Sequence, residues 1–121
     1  ARIDIWSYNL ESILAEKVET ILSRGEASTR PRDRYDVYVL TQLNSELIDF
    51  DLLSQAIYRT AEKRGTIERI IEWKQILDTL GKSNYQENLW SNYQKRFLYA
   101  REISYASTND CLYELLNRID I

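Results

Sequence analysis

Histidine and methionine are both absent from this sequence of 121 residues, and cysteine occurs once, at Cys111. Without histidine there can be no Ser-His-Asp triad, no Cys-His pair and no histidine-ligated zinc. A lone cysteine cannot form a disulfide within the chain, which favours a reducing compartment such as the cytoplasm. Any chemistry in this chain must therefore come from carboxylates, lysine, arginine and tyrosine.

Glycine is also scarce, with only Gly25, Gly65 and Gly81 in the whole sequence. Each follows a stretch with helical periodicity, and glycine often ends a helix because it adopts a left-handed backbone without strain. The three positions therefore predict helix C-caps. They also exclude a glycine-rich loop of the kind that cradles phosphates.

Long apolar runs are missing as well: no run approaches the roughly 18 residues that a membrane span needs. The composition is 44% hydrophobic and 29% charged, which is typical of one globular domain with a core. A net charge of -3 at pH 7 argues against broad, non-specific binding to nucleic acids. We expect a soluble cytoplasmic domain with no membrane partner.

Hydrophobic periodicity predicts an all-α fold, a single bundle of about six helices. The predicted helices are about Leu10–Arg24, Pro31–Leu43, Leu52–Arg64, Thr66 to just before Gly81, Ser83 or Asn84 to about Tyr105, and Thr108–Ile119. Pro31 suits the first position of its helix, and Asp49 or Asp51 is expected to cap the third.

Residues Arg2–Tyr8 alternate apolar and polar side chains, which predicts one short N-terminal strand. Such a strand has no partner in a chain that is otherwise helical. The sequence also begins at Ala1 and contains no methionine. We therefore expect a fragment of a larger protein whose sheet lies upstream.

Lys17 lies within the apolar stripe of the first predicted helix, four residues after Ile13 and four before Ile21. An ammonium group buried without a partner is unfavourable. Either its four-carbon stem covers apolar surface while the charge reaches solvent, or the charge meets an anion. Lys17 is therefore a candidate functional residue.

Asp33 and Asp36 are three residues apart on the second predicted helix, on the face that carries Val37. Two close carboxylates need a cation, which can be arginine, lysine or a metal. Arg30, Arg32 or Lys17 could supply it. Spacing alone does not separate a structural ion-pair network from an active site.

Consecutive helices joined by a short loop tend to pack antiparallel, so Lys17 is expected to meet both aspartates. Such a cluster could bind phosphates through lysine and arginine. Its carboxylates would then orient those cations or a nucleophile.

The stretch LESILAEKVETILSRG, followed by RPRDRYDVYVL, resembles the C-terminal part of the AbiEii-type toxin family of nucleotidyltransferases. Those proteins carry a helix with a Glu-Lys-Leu core and then a helix with the pattern Arg-x-Lys-Asp-x-x-Asp. By position, Lys17 matches the family lysine, Arg30 its first arginine, and Asp33 and Asp36 its two acids. Arg32 stands where lysine is usual. The resemblance covers about the first 43 residues.

The resemblance implies Mg²⁺-dependent transfer of a nucleotide from an NTP to an acceptor, within a toxin–antitoxin or phage-defence (abortive infection) system. It implies catalytic roles for Lys17, Asp33 and Asp36, and substrate or phosphate binding for Arg30 and Arg32. The partners it implies are the N-terminal nucleotidyltransferase domain of the same protein, an antitoxin protein and an RNA acceptor.

The metal-binding half of the family carries a Gly-Ser motif and an Asp-x-Asp pair. Neither is found here in that setting: Asp49 and Asp51 have the Asp-x-Asp spacing but lie between predicted helices, where we interpret them as caps. We therefore expect residues 1–121 to be a helical C-terminal domain that holds no metal or cofactor by itself and is inactive in isolation.

Aromatic and basic residues mix in the fifth predicted helix. Trp90, Tyr93 and Phe97 have the spacing of core residues. Tyr99 and Arg101 remain as candidates for contact with nucleic acid.

A non-catalytic helical module for protein–protein interaction is the alternative function. In that case the charges of Lys17, Arg30 and the aspartates form a structural network, and a partner protein covers apolar surface.

Overall fold

The computed structural model describes the backbone of residues 2–119 and the side chains of residues 10–119. Seven α-helices, numbered in chain order, form this part of the chain: α1 Arg2–Arg24, α2 Pro31–Asn44, α3 Phe50–Arg64, α4 Ile67–Ile71, α5 Trp73–Gly81, α6 Asn84–Arg96 and α7 Tyr105–Asn117. Two short 3-10 segments occupy Gly25–Ala27 and Leu98–Ala100. The predicted all-α fold is confirmed.

The predicted N-terminal strand is wrong, because the backbone of Arg2–Tyr8 is helical and opens α1. A strand would need a neighbour to bond its backbone groups, and residues 2–119 contain no strand that could provide one. A helix satisfies the same groups within itself. A short alternation of apolar residues is therefore outweighed by the helix that follows it.

Two predicted helices are less continuous than their periodicity suggested. The fourth is interrupted at Glu72 (φ -87°, ψ 18°), which separates α4 from α5. The fifth does not reach Tyr105 but ends at Arg96, because Phe97 has an extended backbone (φ -125°, ψ 104°). The last helix then begins at Tyr105, where Ser104 accepts a hydrogen bond from the Ser107 amide at 3.0 Å.

Glycine ends helices here in two different ways. Gly65 follows α3 with a left-handed backbone (φ 72°), as predicted for a C-cap. The prediction of a left-handed cap at Gly81 is wrong, because this residue is the last of α5 and its φ is not positive. A Cβ atom there would lie 3.2 Å from Asn109 Nδ2, so this glycine permits the close approach of α5 and α7 instead.

The main core is built around α1, which packs against α2 and α3. Leu14, Val18 and Leu22 on α1 are fully buried. A second, smaller core of Trp90, Tyr93, Ala100 and Tyr105 joins α6 to the start of α7. Within the described residues, no helix combines the length and the apolar character that crossing a membrane would require.

Arg34 ties α2 to α7 from inside the protein. Its Nη1 donates to Thr108 Oγ1 at 3.0 Å and to Asn109 Oδ1 at 3.1 Å. The guanidinium carbon lies 4.4 Å from the centroid of the Tyr105 ring. Burial lowers the pKa of Arg34. This contact fixes the rotation of α2, the helix that also carries Asp33 and Asp36.

Candidate functional site

Lys17 on α1 lies against both aspartates of α2. Its Nζ donates a hydrogen bond of 2.7 Å to Asp36 Oδ2 and lies 3.7 Å from Asp33 Oδ1. The facing of these two helices therefore brings together the three residues that the sequence singled out. With Arg30 and Arg32 they form what we call the charged cluster.

Arg30 and Arg32 complete the charged cluster from the start of α2. Arg30 engages Asp33 at two points, with Nε 3.2 Å from Oδ2 and Nη2 donating to Oδ1 at 3.4 Å. Arg32 is exposed, and its Nε lies 3.9 Å from Asp36 Oδ2. Exposed pairs at that distance contribute little to stability. Three cations around two carboxylates leave the cluster with a net positive charge.

The two aspartates differ in exposure although they are three residues apart. The side chain of Asp33 is only 4% exposed, whereas those of Asp36 and Lys17 are 23% and 25% exposed. A buried carboxylate needs charged partners and hydrogen bonds, and Arg30 with Lys17 provides them for Asp33. Asp33 is thus positioned within the protein, while Asp36 and Lys17 can meet a ligand.

The start of α2 explains where these side chains lie. Pro31 occupies the first turn, where its missing N–H removes no intrahelical bond. Asp33 in the same turn carries its negative charge near the positive end of the helix dipole. The helix therefore favours a carboxylate at Asp33 before any partner is considered.

A groove of about 650 Å³ adjoins the charged cluster between the start of α2 and the end of α6. Arg30 and Arg32 line it on the cluster side. Six further residues line it from α6 and the chain just after its end. We call it the arginine–aromatic groove, and the side chains that define it are Arg30, Arg32, Tyr93, Arg96, Phe97 and Tyr99.

The aromatic residues near this groove divide as the sequence predicted. Trp90 and Tyr93 are buried in the second core, and Phe97 packs half-buried against it. Tyr99 is exposed, while Arg101 does not line the groove. Nothing in the sequence connects Tyr99 with Arg30 and Arg32. The fold brings these three residues to one groove.

Tyr93 connects the groove electrostatically with the charged cluster. Burial raises the pKa of Tyr93, as does its 2.8 Å hydrogen bond with the Tyr99 hydroxyl. The charge of Asp36 raises this pKa further, and the charge of Arg32 opposes it. Arg30 and Arg32 belong to the charged cluster and also line the groove, so the two regions adjoin.

The two carboxylates of the charged cluster do not fit a magnesium site. Among the described residues, no group of three or more His, Cys, Asp or Glu side chains could hold a metal ion. The carboxylates of Asp33 and Asp36 face Lys17 and arginines instead. Asp49 accepts from the Leu52 amide at 3.1 Å and caps α3, as predicted, whereas Asp51 lies in the first turn of that helix.

Comparison with protein-family models gives a match. The family model described as "Nucleotidyl transferase AbiEii toxin, Type IV TA system" matches residues 1–111. The match extends well past the first 43 residues, on which the sequence resemblance rests. Neither a curated protein nor a solved structure matches the chain.

Proposed function

Because the chain belongs to the AbiEii nucleotidyl transferase toxin family of type IV toxin–antitoxin systems, we propose that residues 1–121 are the helical C-terminal domain of a nucleotide-transferring toxin. In this proposal the domain supplies the face that binds NTP and acceptor. The observation that carries it is the position of Lys17, partly exposed and held between two carboxylates.

Lys17 would contact the phosphate oxygens of the NTP. An ammonium group has three donors, and the described residues place two carboxylates within 4 Å of it. Its solvent-facing donor can therefore bind a phosphate oxygen while the contact with Asp36 is kept. Because Asp36 already fixes Nζ, the charge is oriented before the ligand arrives, which is the arrangement that lowers a barrier most.

Asp36 would accept the proton of the acceptor's hydroxyl group, while that oxygen bonds to the α-phosphorus of the NTP and pyrophosphate leaves. Among the described residues, its ion pairs with Lys17 and Arg32 both use Oδ2. Oδ1 is thus the atom at which the proton would arrive. Asp33 is too deeply buried for that role and would act as a positioning residue for Arg30 and Lys17.

Arg30 and Arg32 would bind phosphate or hold the aspartates in place. Arginine stays protonated at any relevant pH, so neither residue can transfer a proton. Arg32 replaces a lysine of the family pattern, and this replacement therefore keeps the charge while removing proton-transfer chemistry.

Mg²⁺ and NTP belong to the proposal for the full-length protein. The metal would be held by the N-terminal nucleotidyltransferase domain of that protein, because the two carboxylates of the charged cluster already face Lys17 and arginines. The remaining parts of the proposal are an RNA acceptor, an antitoxin protein as regulator and a role in phage defence. The lone cysteine favours a cytoplasmic location.

The proposal is tested with Lys17→Ala and Asp36→Ala in the full-length protein. Each should lower the rate of nucleotide transfer by about a hundred-fold or more and remove growth inhibition, because each removes an oriented charge or a proton acceptor. The circular dichroism spectrum of each variant should remain that of a helical protein. Lys63→Ala and Asp110→Ala, at exposed positions outside the charged cluster, should retain transfer.

Retention of transfer by both cluster variants would eliminate their catalytic role. The interaction module would then be the better description, and one observation favours it: Leu43, in the last turn of α2, and Leu47, shortly after that helix, are largely exposed. In that case Leu43→Ser with Leu47→Ser should abolish growth inhibition, while Lys17→Ala should leave it intact.

A further inference from the structure

The arginine–aromatic groove has properties that the proposed phosphate contact of Lys17 does not require. Its lining contains three arginines and three aromatic rings but no carboxylate. The chain as a whole carries a net charge of -3. A local surface of opposite character to the whole molecule points to a specific anionic ligand with flat, apolar parts.

Tyr99 is an accessible ring that lines this surface and is held by its neighbours. Its ring centroid lies 4.7 Å from that of Tyr35 and 5.4 Å from that of Phe97. Its hydroxyl is bonded to that of Tyr93 at 2.8 Å. Even so, Tyr99 is 53% exposed. A ring that is fixed by three neighbours but half open to solvent is suited to stacking with a base.

Arg96 adds a charge that no partner within the described residues neutralises by an ion pair. Its guanidinium carbon lies 5.4 Å from the Phe97 ring centroid, so the charge stands beside the aromatic surface. Arg30 and Arg32 line the groove from the start of α2. The three arginines thus lie beside the rings and could contact phosphates next to a stacked base.

An open groove that combines a stacking ring with bordering arginines is the usual form of a single-strand binding surface. We propose that the arginine–aromatic groove binds single-stranded nucleic acid, with an unpaired base on Tyr99 and backbone phosphates on Arg30, Arg32 and Arg96. This inference rests on the proposed function in one respect, the identification of the bound strand as the acceptor. The end of that strand would then lie towards Asp36.

The stacking contact is tested by fluorescence anisotropy with a labelled single-stranded RNA, without metal or NTP. Tyr99→Ala in the full-length protein should weaken binding about ten-fold, since stacking on one aromatic ring contributes that much. Tyr99→Phe should bind within about two-fold of the wild type, because the ring remains. Tyr85→Ala is the matched control: Tyr85 is also 53% exposed but does not line the groove.

The phosphate contact is tested by Arg96→Gln, which leaves the rings in place. Binding should weaken, and the slope of log K against log salt concentration should become shallower by about 0.7, the value for one phosphate contact on a single strand. Arg59→Gln, at an exposed position on α3, should change neither quantity. Melting temperatures establish that each variant is folded.

Several results would overturn the proposal. These are no measurable binding by the wild type at low salt, unchanged binding by both Tyr99→Ala and Arg96→Gln, or an equal loss in the control variants. Equally tight binding of a duplex would reduce the contact to general electrostatics. Displacement of the strand by an equimolar amount of any free NTP would assign the groove to that nucleotide instead.

Lys17→Ala separates this inference from the proposed function. If Lys17→Ala abolishes nucleotide transfer but binds the strand normally, both stand. If it transfers normally while groove variants lose binding, only the proposed function fails. If it abolishes transfer while groove variants bind normally, only the groove assignment fails.

Discussion

At the scale of single residues, a polar side chain in an apolar stripe marks either a partly exposed ion pair or an internal tie, and both kinds occur here. Lys17 and Asp36 meet at the edge of the protein, and their place in the helix stripes made that contact predictable. Arg34 belongs to the second kind. Its partners Thr108 and Asn109 are 74 and 75 residues away, so no local pattern in the sequence could indicate them.

Replacement of Arg34 should therefore affect stability more than replacement of its exposed neighbours. Arg34→Ala leaves Thr108 and Asn109 without their buried donor, and we expect a loss of about 2–3 kcal/mol in the free energy of unfolding. Arg32→Ala, at an exposed position, should change it by less than about 0.5 kcal/mol. Urea denaturation measures both. Equal effects would mean that Arg34 is not a structural tie.

At the scale of secondary-structure elements, periodicity located the helices well and their ends poorly. The predicted fifth helix continued to about Tyr105 because Tyr93, Phe97 and Ala100 have helical spacing. The structure ends it at Arg96, and Trp90 Nε1 and Gln94 Nε2 then donate to the Ile103 carbonyl at 2.9 and 2.7 Å. A turn held by side chains of the preceding helix leaves no mark in the hydrophobic pattern.

The start of α3 offers a test at this scale, because the sequence left the choice of cap open. Asp49 accepts from the Leu52 amide, whereas Asp51 lies one residue inside the helix. Asp49→Ala should lower the free energy of unfolding by about 1 kcal/mol through loss of the cap. Asp51→Ala should lower it by only about 0.3 kcal/mol, the helix-dipole contribution. The reverse order in urea denaturation would contradict the assignment.

At the scale of the whole molecule, the family match and the seven helices agree with the predicted class, while the relation between its parts came from the fold alone. The start of α2 packs near both α1 and α6. For this reason Arg30 and Arg32 belong to the charged cluster and also line the arginine–aromatic groove. Tyr99 and Lys17 are separate candidates in the sequence, because they are 82 residues apart and only packing can bring both of them to α2.

The whole molecule should lose stability in alkaline solution. Burial raises the pKa values of Tyr93, Tyr105 and Cys111, so the folded protein keeps protons that the unfolded chain releases. Their contribution to the free energy of unfolding is complete below the pKa values of the unfolded chain, about 8.5 for cysteine and 10 for tyrosine. It is lost as the pH rises through the higher pKa values of the folded protein. The free energy of unfolding should therefore fall above about pH 9.

Tyr105→Phe provides the control for this dependence on pH. It removes a hydrogen bond of 2.6 Å to the Leu80 carbonyl, so stability at neutral pH should be lower by about 1 kcal/mol. It also removes one titrating group, so the alkaline decline should be shallower than in the wild type. An unchanged decline would show that Tyr105 is not one of its causes.

The tie between Arg34 and α7 has a consequence for the order in which the protein is made. Synthesis proceeds from the N-terminus, so α1 and α2 emerge from the ribosome long before Thr108 and Asn109 are joined to the chain. Until α7 has docked, the guanidinium of Arg34 has no internal acceptors and the rotation of α2 is not fixed. A growing polypeptide should thus carry the charged residues without their final geometry, and a ribosome-bound chain stalled before residue 108 should be harmless to the cell that makes it.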